Sequence, residues 1–169
     1  MAVQILIMIK LKSEINAPIE RCFELSTSID LHKISTSKTQ EQAISGVTEG
    51  LIKLNESVTW KAKHFGIWHK MKVKITAFEK PKNFTDEMIS GTLKFMKHKH
   101  EFEQKGEQTI MIDYFDFESP FGIVGKLVDK LILRRYMTNF LIERNEIIKD
   151  FAESEKWKQV LKIKTRDNK

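Results

Sequence analysis

The sequence predicts an α+β fold: a curved antiparallel β-sheet of about seven strands wrapped around one long C-terminal α-helix, with two short helices after strand 1. Three observations predict it. Residues 40–118 alternate apolar and polar side chains with period 2, interrupted only by turn residues. Residues 121–153 carry apolar side chains at helical spacing. A proline-led segment with helical character separates the first strand from the others. A sheet bent far enough to wrap so long a helix cannot touch it everywhere, so a cavity is expected between them.

The elements follow in order. Val3, Ile5, Ile7 and Ile9 alternate and are mostly β-branched, which suits a strand. Pro18 and Glu20 open a helix over 18–27. Asp30 caps a second short helix, LHKIS, before the Ser/Thr-rich break at 35–39. An interrupted strand lies within 40–53, weakened by Gly46 and Gly50. Strands 57–64 and 67–79 are joined by a Phe65-Gly66 turn. Pairing across that turn sets Trp60 opposite Met71, Ala62 opposite His69 and His64 opposite Ile67. Pro81 separates these from a strand over 83–90, and residues 95–118 form a hairpin. Pro120 ends the sheet. Helix 121–153 presents Val124, Leu127, Val128 and Leu131, then Met137, Phe140, Leu141, Ile148 and Phe151. At about 33 residues and ~50 Å it must lie across the sheet and bury one stripe.

Composition narrows the class. The 169 residues suit one domain, expected over 1–153, followed by a basic extension over 154–169. Cys22 is the lone cysteine, which excludes an intrachain disulfide and a cysteine-based metal knuckle. The apolar N-terminus lacks a basic leader and a cleavage site, and no stretch approaches the ~20 apolar residues of a membrane span. A cytoplasmic protein is therefore the default. The net charge of +6 is concentrated near the end, in Lys156, Lys158, Lys162, Lys164, Arg166 and Lys169. This segment, with Trp157 as an anchor, could meet nucleic acid or an anionic membrane. The simpler reading is a solvated terminus, so neither nucleic-acid binding nor stable membrane insertion is expected.

The hairpin carries the chemistry. A Lys105-Gly106 turn would set His98 opposite Asp113 and His100 opposite Met111. Met96, His98, His100 and Phe102 then share a face with Thr109, Met111, Asp113 and Phe115, while Lys97, Lys99, Glu101 and Glu103 face solvent. Trp60, His64 and His69 should face inward with Met71, and His32 lies near the expected cavity mouth. Phe84, Asp86 and Met88 share a face, where Asp86 is either a second carboxylate or part of a solvated edge.

Asp113 and His98 could perform acid–base work, bind a polar head group, or simply satisfy each other. A His-x-His strand with a carboxylate can chelate zinc or iron. A cupin would want a glutamate four or five residues after the second histidine, and here Gln104 and Lys105 stand there. No metal and no cofactor is expected. Phosphate loops and nucleophile elbows are absent.

Several segments resemble the START/Bet v 1-like (SRPBCC) superfamily, whose architecture is the helix-grip fold. They are NAPIERCFEL (16–25), VTWKAKHFG (58–66), FTDEMISG (84–91), FMKHKHEF (95–102), TIMIDYFDFESPFG (109–122) and the Arg-Asn pair at 144–145. The chain is most similar to bacterial ligand-binding SRPBCC domains, related to polyketide cyclase-like proteins. The resemblance implies a cavity for lipids, hormones, polyketides or other apolar molecules, and carries over no catalytic residue. The expected function is thus binding of a small hydrophobic or amphipathic ligand, as in a carrier or sensor. Its wall would comprise Trp60, His64, His69, Met71, Phe84, Met88, His98, His100, Phe102, Met111, Asp113 and Phe115. The alternative is a cyclase, dehydratase or hydrolase using His98 and Asp113.

Overall fold

A computed structural model describes residues 6–118 and 132–161. Strand β1 (Ile7–Ile15) leads into α1 (Ile19–Thr27), α2 (Ile29–Ser35) and a 3-10 turn at Ser37–Thr39. Six strands follow: β2 (Gln42–Gly46), β3 (Ser57–His64), β4 (Ile67–Glu79), β5 (Asn83–Ser90), β6 (Phe95–Lys105) and β7 (Gln108–Glu118). Helix α3 (Arg134–Glu153) and the short α4 (Trp157–Val160) complete the described chain. The expected helical residues from 121 to 131, and the basic residues from 162 onward, lie outside the described residues.

The seven strands form one antiparallel sheet in the order β1-β7-β6-β5-β4-β3-β2. Sequential hairpins build β2 to β7, and β1 returns to pair with β7, so the first and last strands lie side by side. Register shifts at Ala43/Ser45, Lys72/Val73 and Ile75/Ala77 bend the sheet, as bulges do. Gly46 belongs to the first irregular region: its φ is +77°, and a Cβ there would lie 2.1 Å from the Ser57 carbonyl oxygen.

Helix α3 packs on β1, α1 and α2. Its buried side chains are Leu141, Arg144, Asn145, Ile148, Phe151 and Ala152. Its C-terminal end is tied down by Arg21 Nη1, which donates to the Ala152 carbonyl at 2.9 Å, and by Glu153, which accepts from Asn16 N at 2.7 Å. The Arg21 guanidinium also covers the Trp157 ring at 4.5 Å. No helix among the described residues is long and apolar enough to cross a membrane. Cys22 is fully buried at the centre of α1, and burial pushes its thiol up to about 11, so it packs as an apolar residue.

Two local expectations are corrected. Ser28, not Asp30, caps α2: its Oγ accepts from Leu31 N at 3.2 Å. Asp30 sits in the first turn and accepts from Gly50 N at 2.8 Å, tying the helix to the loop before β3. Ser28→Ala should therefore cost ~1 kcal/mol of stability, read from urea denaturation. An unchanged midpoint would mean the cap is dispensable.

The second correction concerns the hairpin. Its turn residues are Gly106 and Glu107, because Lys105 pairs with Gln108. Gly106 takes φ +60° at the first turn position, the glycine site of a type II′ turn. A Lys105-Gly106 turn would have forced lysine into that left-handed region. Gln104 Nε2 fastens the turn by donating to the carbonyls of Gly106 and Gln108. Moving the turn by one residue moves the cross-strand pairing by two, so His100 opposes Asp113 and His98 opposes Phe115. A two-residue slip keeps every side chain on its face.

Candidate functional site

The concave face of β5, β6 and β7 gathers a polar cluster beneath α3. Met96, His98, His100, Phe102, Thr109, Met111, Asp113 and Phe115 are all buried on the face expected for them. Asp113, 1% exposed, is the hub. Its Oδ1 faces His98 Nε2 at 3.0 Å, and its Oδ2 accepts from Asn145 Nδ2 at 2.6 Å. His100 Nδ1 lies 2.6 Å from Oδ1 but off the line of a hydrogen bond, so this contact is an ion pair. His100 Nε2 reaches Asp86 Oδ1 at 3.3 Å. Asn145 Oδ1 in turn accepts from Arg144 Nη1 at 3.2 Å. The chain of contacts therefore runs Asp86–His100–Asp113–Asn145–Arg144, with His98 branching from Asp113.

Burial and charge set the protonation of this cluster. Burial alone would raise Asp113, but His100 and His98 overcome it and hold the carboxyl well below its usual range. Asp86 is likewise lowered, its burial outweighed by His100, His98 and Arg144. His98 is pushed down to about 4 by burial and by the neighbouring His100. His100 moves the other way, because Asp113 and Asp86 outweigh its burial. With His98 neutral and His100 protonated, the two carboxylates are balanced by His100 and Arg144. His98 then donates through Nε2, and the tautomer leaves its Nδ1 as an acceptor.

A second cluster lies toward β2 to β4. His32 stacks on Trp60 at 4.1 Å and faces Glu41 Oε2 at 3.4 Å. Burial would raise Glu41, but His32 holds it below the usual carboxylate range. His64 Nδ1 is 2.8 Å from the Tyr136 hydroxyl, and the His69 ring is 5.9 Å from that of His64. His64 is lowered, chiefly by burial. Trp60 opposes Met71, Ala62 opposes His69 and His64 opposes Ile67, the pairing read from the sequence.

The structure thus divides the expected wall. His98, His100 and Asp113 converge, whereas Trp60, His64 and His69 belong to the second cluster. Phe84 and Phe102 pack edge-on to Phe23 at 5.6 and 5.5 Å, and His100 stacks on Phe84 at 4.2 Å. Phe115 meets His98 edge-on at 5.1 Å. Met111 is fully buried near Ser26, and Met71 and Met88 are half-buried around Gly91. Of the two places open to Asp86, it takes the one in the cluster, as a second carboxylate.

Sequence patterning does not single out Asn145, Arg144, Glu41 or Tyr136 for chemistry. For the helix pair a signal exists: 141, 144, 145 and 148 form one helical stripe, so two polar residues interrupt a buried face. Glu41 follows the 3-10 turn with no pattern around it.

Ligand atoms of Asp86, His98 and His100 lie within 4.8 Å of one another, close enough to hold a metal ion. His98 and His100 already engage carboxylates, and a cation there would have to displace the His100 proton beside Arg144. Such a site is electrostatically unfavourable without rearrangement. Two pockets among the described residues lie elsewhere. One, of about 650 Å³, is lined by Asp30, Lys33, Ile34, Ser37, Glu49, Gln159 and Val160. The other, of about 200 Å³, lies beside Lys82, Asn83, Glu101 and Phe102. Neither touches His98 or Asp113, so the site rests on the buried cluster.

No family model and no curated protein matches the sequence. Solved structures do share its architecture. A START superfamily protein from Mycobacterium smegmatis is 12% identical, with TM-score 0.67, covering 85% of this chain and 97% of its own. The major latex-like protein 151 of Panax ginseng is 15% identical, with TM-score 0.66 over 88% and 99%. The di-domain ARO/CYC StfQ of the steffimycin biosynthetic pathway is 12% identical, with TM-score 0.70 over 89% of this chain and 52% of that one. At these identities the likeness is one of fold: the helix-grip architecture expected from the motifs is the one the chain adopts.

Proposed function

We propose that this helix-grip protein binds a small amphipathic molecule beneath α3, with the Asp113-centred cluster orienting its polar end. The observation that carries this reading is the charge-balanced cluster, buried on the concave sheet face and completed by two side chains of α3. Burying two carboxylates, a guanidinium and a protonated imidazole costs several kcal/mol per ion before their attraction is counted. Apolar residues of similar volume would stabilise the fold as well or better. A recognition role gives the polar groups a reason to be there. The helix-grip neighbours include an ARO/CYC, which keeps catalysis in view, but a histidine held to about 4 is a weak general base near neutrality. Binding is therefore favoured over acid–base chemistry at His98.

The experiment is native mass spectrometry of the purified protein, joined to Trp60 fluorescence in a Trp68→Phe, Trp157→Phe background. Trp60 is buried and stacked on His32, so a ligand entering the concave face should alter its emission. The expected result is a bound small molecule released on denaturation, or a saturable Trp60 change with medium-chain lipids or polyketides. A bare polypeptide mass together with a flat titration would remove the reading.

A further inference from the structure

Resting on that reading, we infer that Arg144 recognises a carboxylate, so that the ligand is an amphipathic monocarboxylic acid. Arg144 is 4% exposed and lies on the buried stripe of α3 between Leu141 and Ile148. A guanidinium offers five N–H donors in a planar fork. Among the described residues its hydrogen bond is the one from Nη1 to Asn145 Oδ1, and no carboxylate there comes within ion-pair distance of it. The nearby carboxylates are taken: Asp113 by His98, His100 and Asn145, and Asp86 by His100.

Asn145 fixes the fork. Its amide nitrogen is held by Asp113 and its oxygen holds Nη1, which leaves Nε and Nη2 for an incoming acceptor. A carboxylate matches two parallel N–H groups, whereas an alcohol can accept only weakly from one. A carboxylate brings one negative charge into this buried space beside Arg144, whereas a dianionic phosphate brings two at a larger desolvation cost. Leu141 and Ile148 flank Arg144 on the stripe, so the rest of the ligand meets apolar surface.

The test compares decanoate with decan-1-ol at pH 7.5, by isothermal titration calorimetry, in the wild type, Arg144→Met and Arg144→Lys. The wild type should prefer decanoate by roughly 10- to 100-fold, the range of one hydrogen-bonded charge. Arg144→Met should abolish that preference, and Arg144→Lys should recover part of it. Equal affinities in the wild type, or a preference that survives Arg144→Met, would overturn the assignment. The wild-type comparison decides even if Arg144→Met fails to fold. Binding of decan-1-ol without preference sinks only the carboxylate, whereas binding of neither compound sinks the ligand-binding reading with it.

Discussion

Asp113→Ala should lower the unfolding free energy by about 3–5 kcal/mol, the usual cost of removing one partner from a buried ionic network. The loss arises from the groups left behind. His98 Nε2 and Asn145 Nδ2 lose their acceptor, and His100 keeps only the longer contact to Asp86. Arg144 stays buried, and the Asn145 that positions it has lost its own partner. Asp113→Asn keeps the shape and one acceptor oxygen but not the charge, so it should fall between the alanine variant and the wild type. Urea denaturation at pH 7 measures both. A loss below about 1 kcal/mol for Asp113→Ala would show that the cluster is solvated or rearranges freely, contrary to its burial.

That hub is partly legible in the amino-acid sequence. Alternating lysines in 67–79 and 95–105 mark one face as solvated, so the opposite face, with His98, His100 and Asp113, has to be buried. The bounds expected for β3, β4 and β5 coincide with those observed, because Phe65-Gly66 marks the turn between the first two and Pro81 sets off the third. Partner identity is harder to read. It depends on whether Lys105 or Gly106 opens the turn, a matter of backbone handedness that face patterning does not report. Arg144 and Asn145 stand in plain view as polar residues on an apolar helical stripe, but their partner strand is β7, which only the tertiary fold brings beneath them. Glu41 has no local signal, because its burial beside His32 is set by the tertiary fold.

The two histidines of β6 should make stability depend on pH in opposite directions. His98 is lowered from the ordinary histidine value near ~6.5 to about 4. Between those values the unfolded chain binds a proton that the folded protein refuses, so stability falls as pH drops from 6.5 toward 4. The full effect is about 3 kcal/mol, of which roughly 2 should appear between pH 6.5 and 4.5. His100 is raised, so its contribution is complete below the unfolded value and is lost as pH climbs through the folded one. Asp113 and Asp86, both lowered, contribute above the unfolded carboxylate range and lose that contribution only at lower pH. Stability should therefore peak near the unfolded histidine value and decline on both sides. His98→Gln isolates the acid limb, since the Gln amide can still donate to Asp113 but does not titrate. Urea denaturation of both proteins at pH 6.5 and 4.5 should show the wild type losing about 2 kcal/mol more than the variant over that interval. His64 is lowered too and adds slope of the same sign to both proteins, so the difference between them is the quantity to read. Equal losses would mean that His98 titrates normally, and the neutral form that donates through Nε2 to Asp113 would then be wrong.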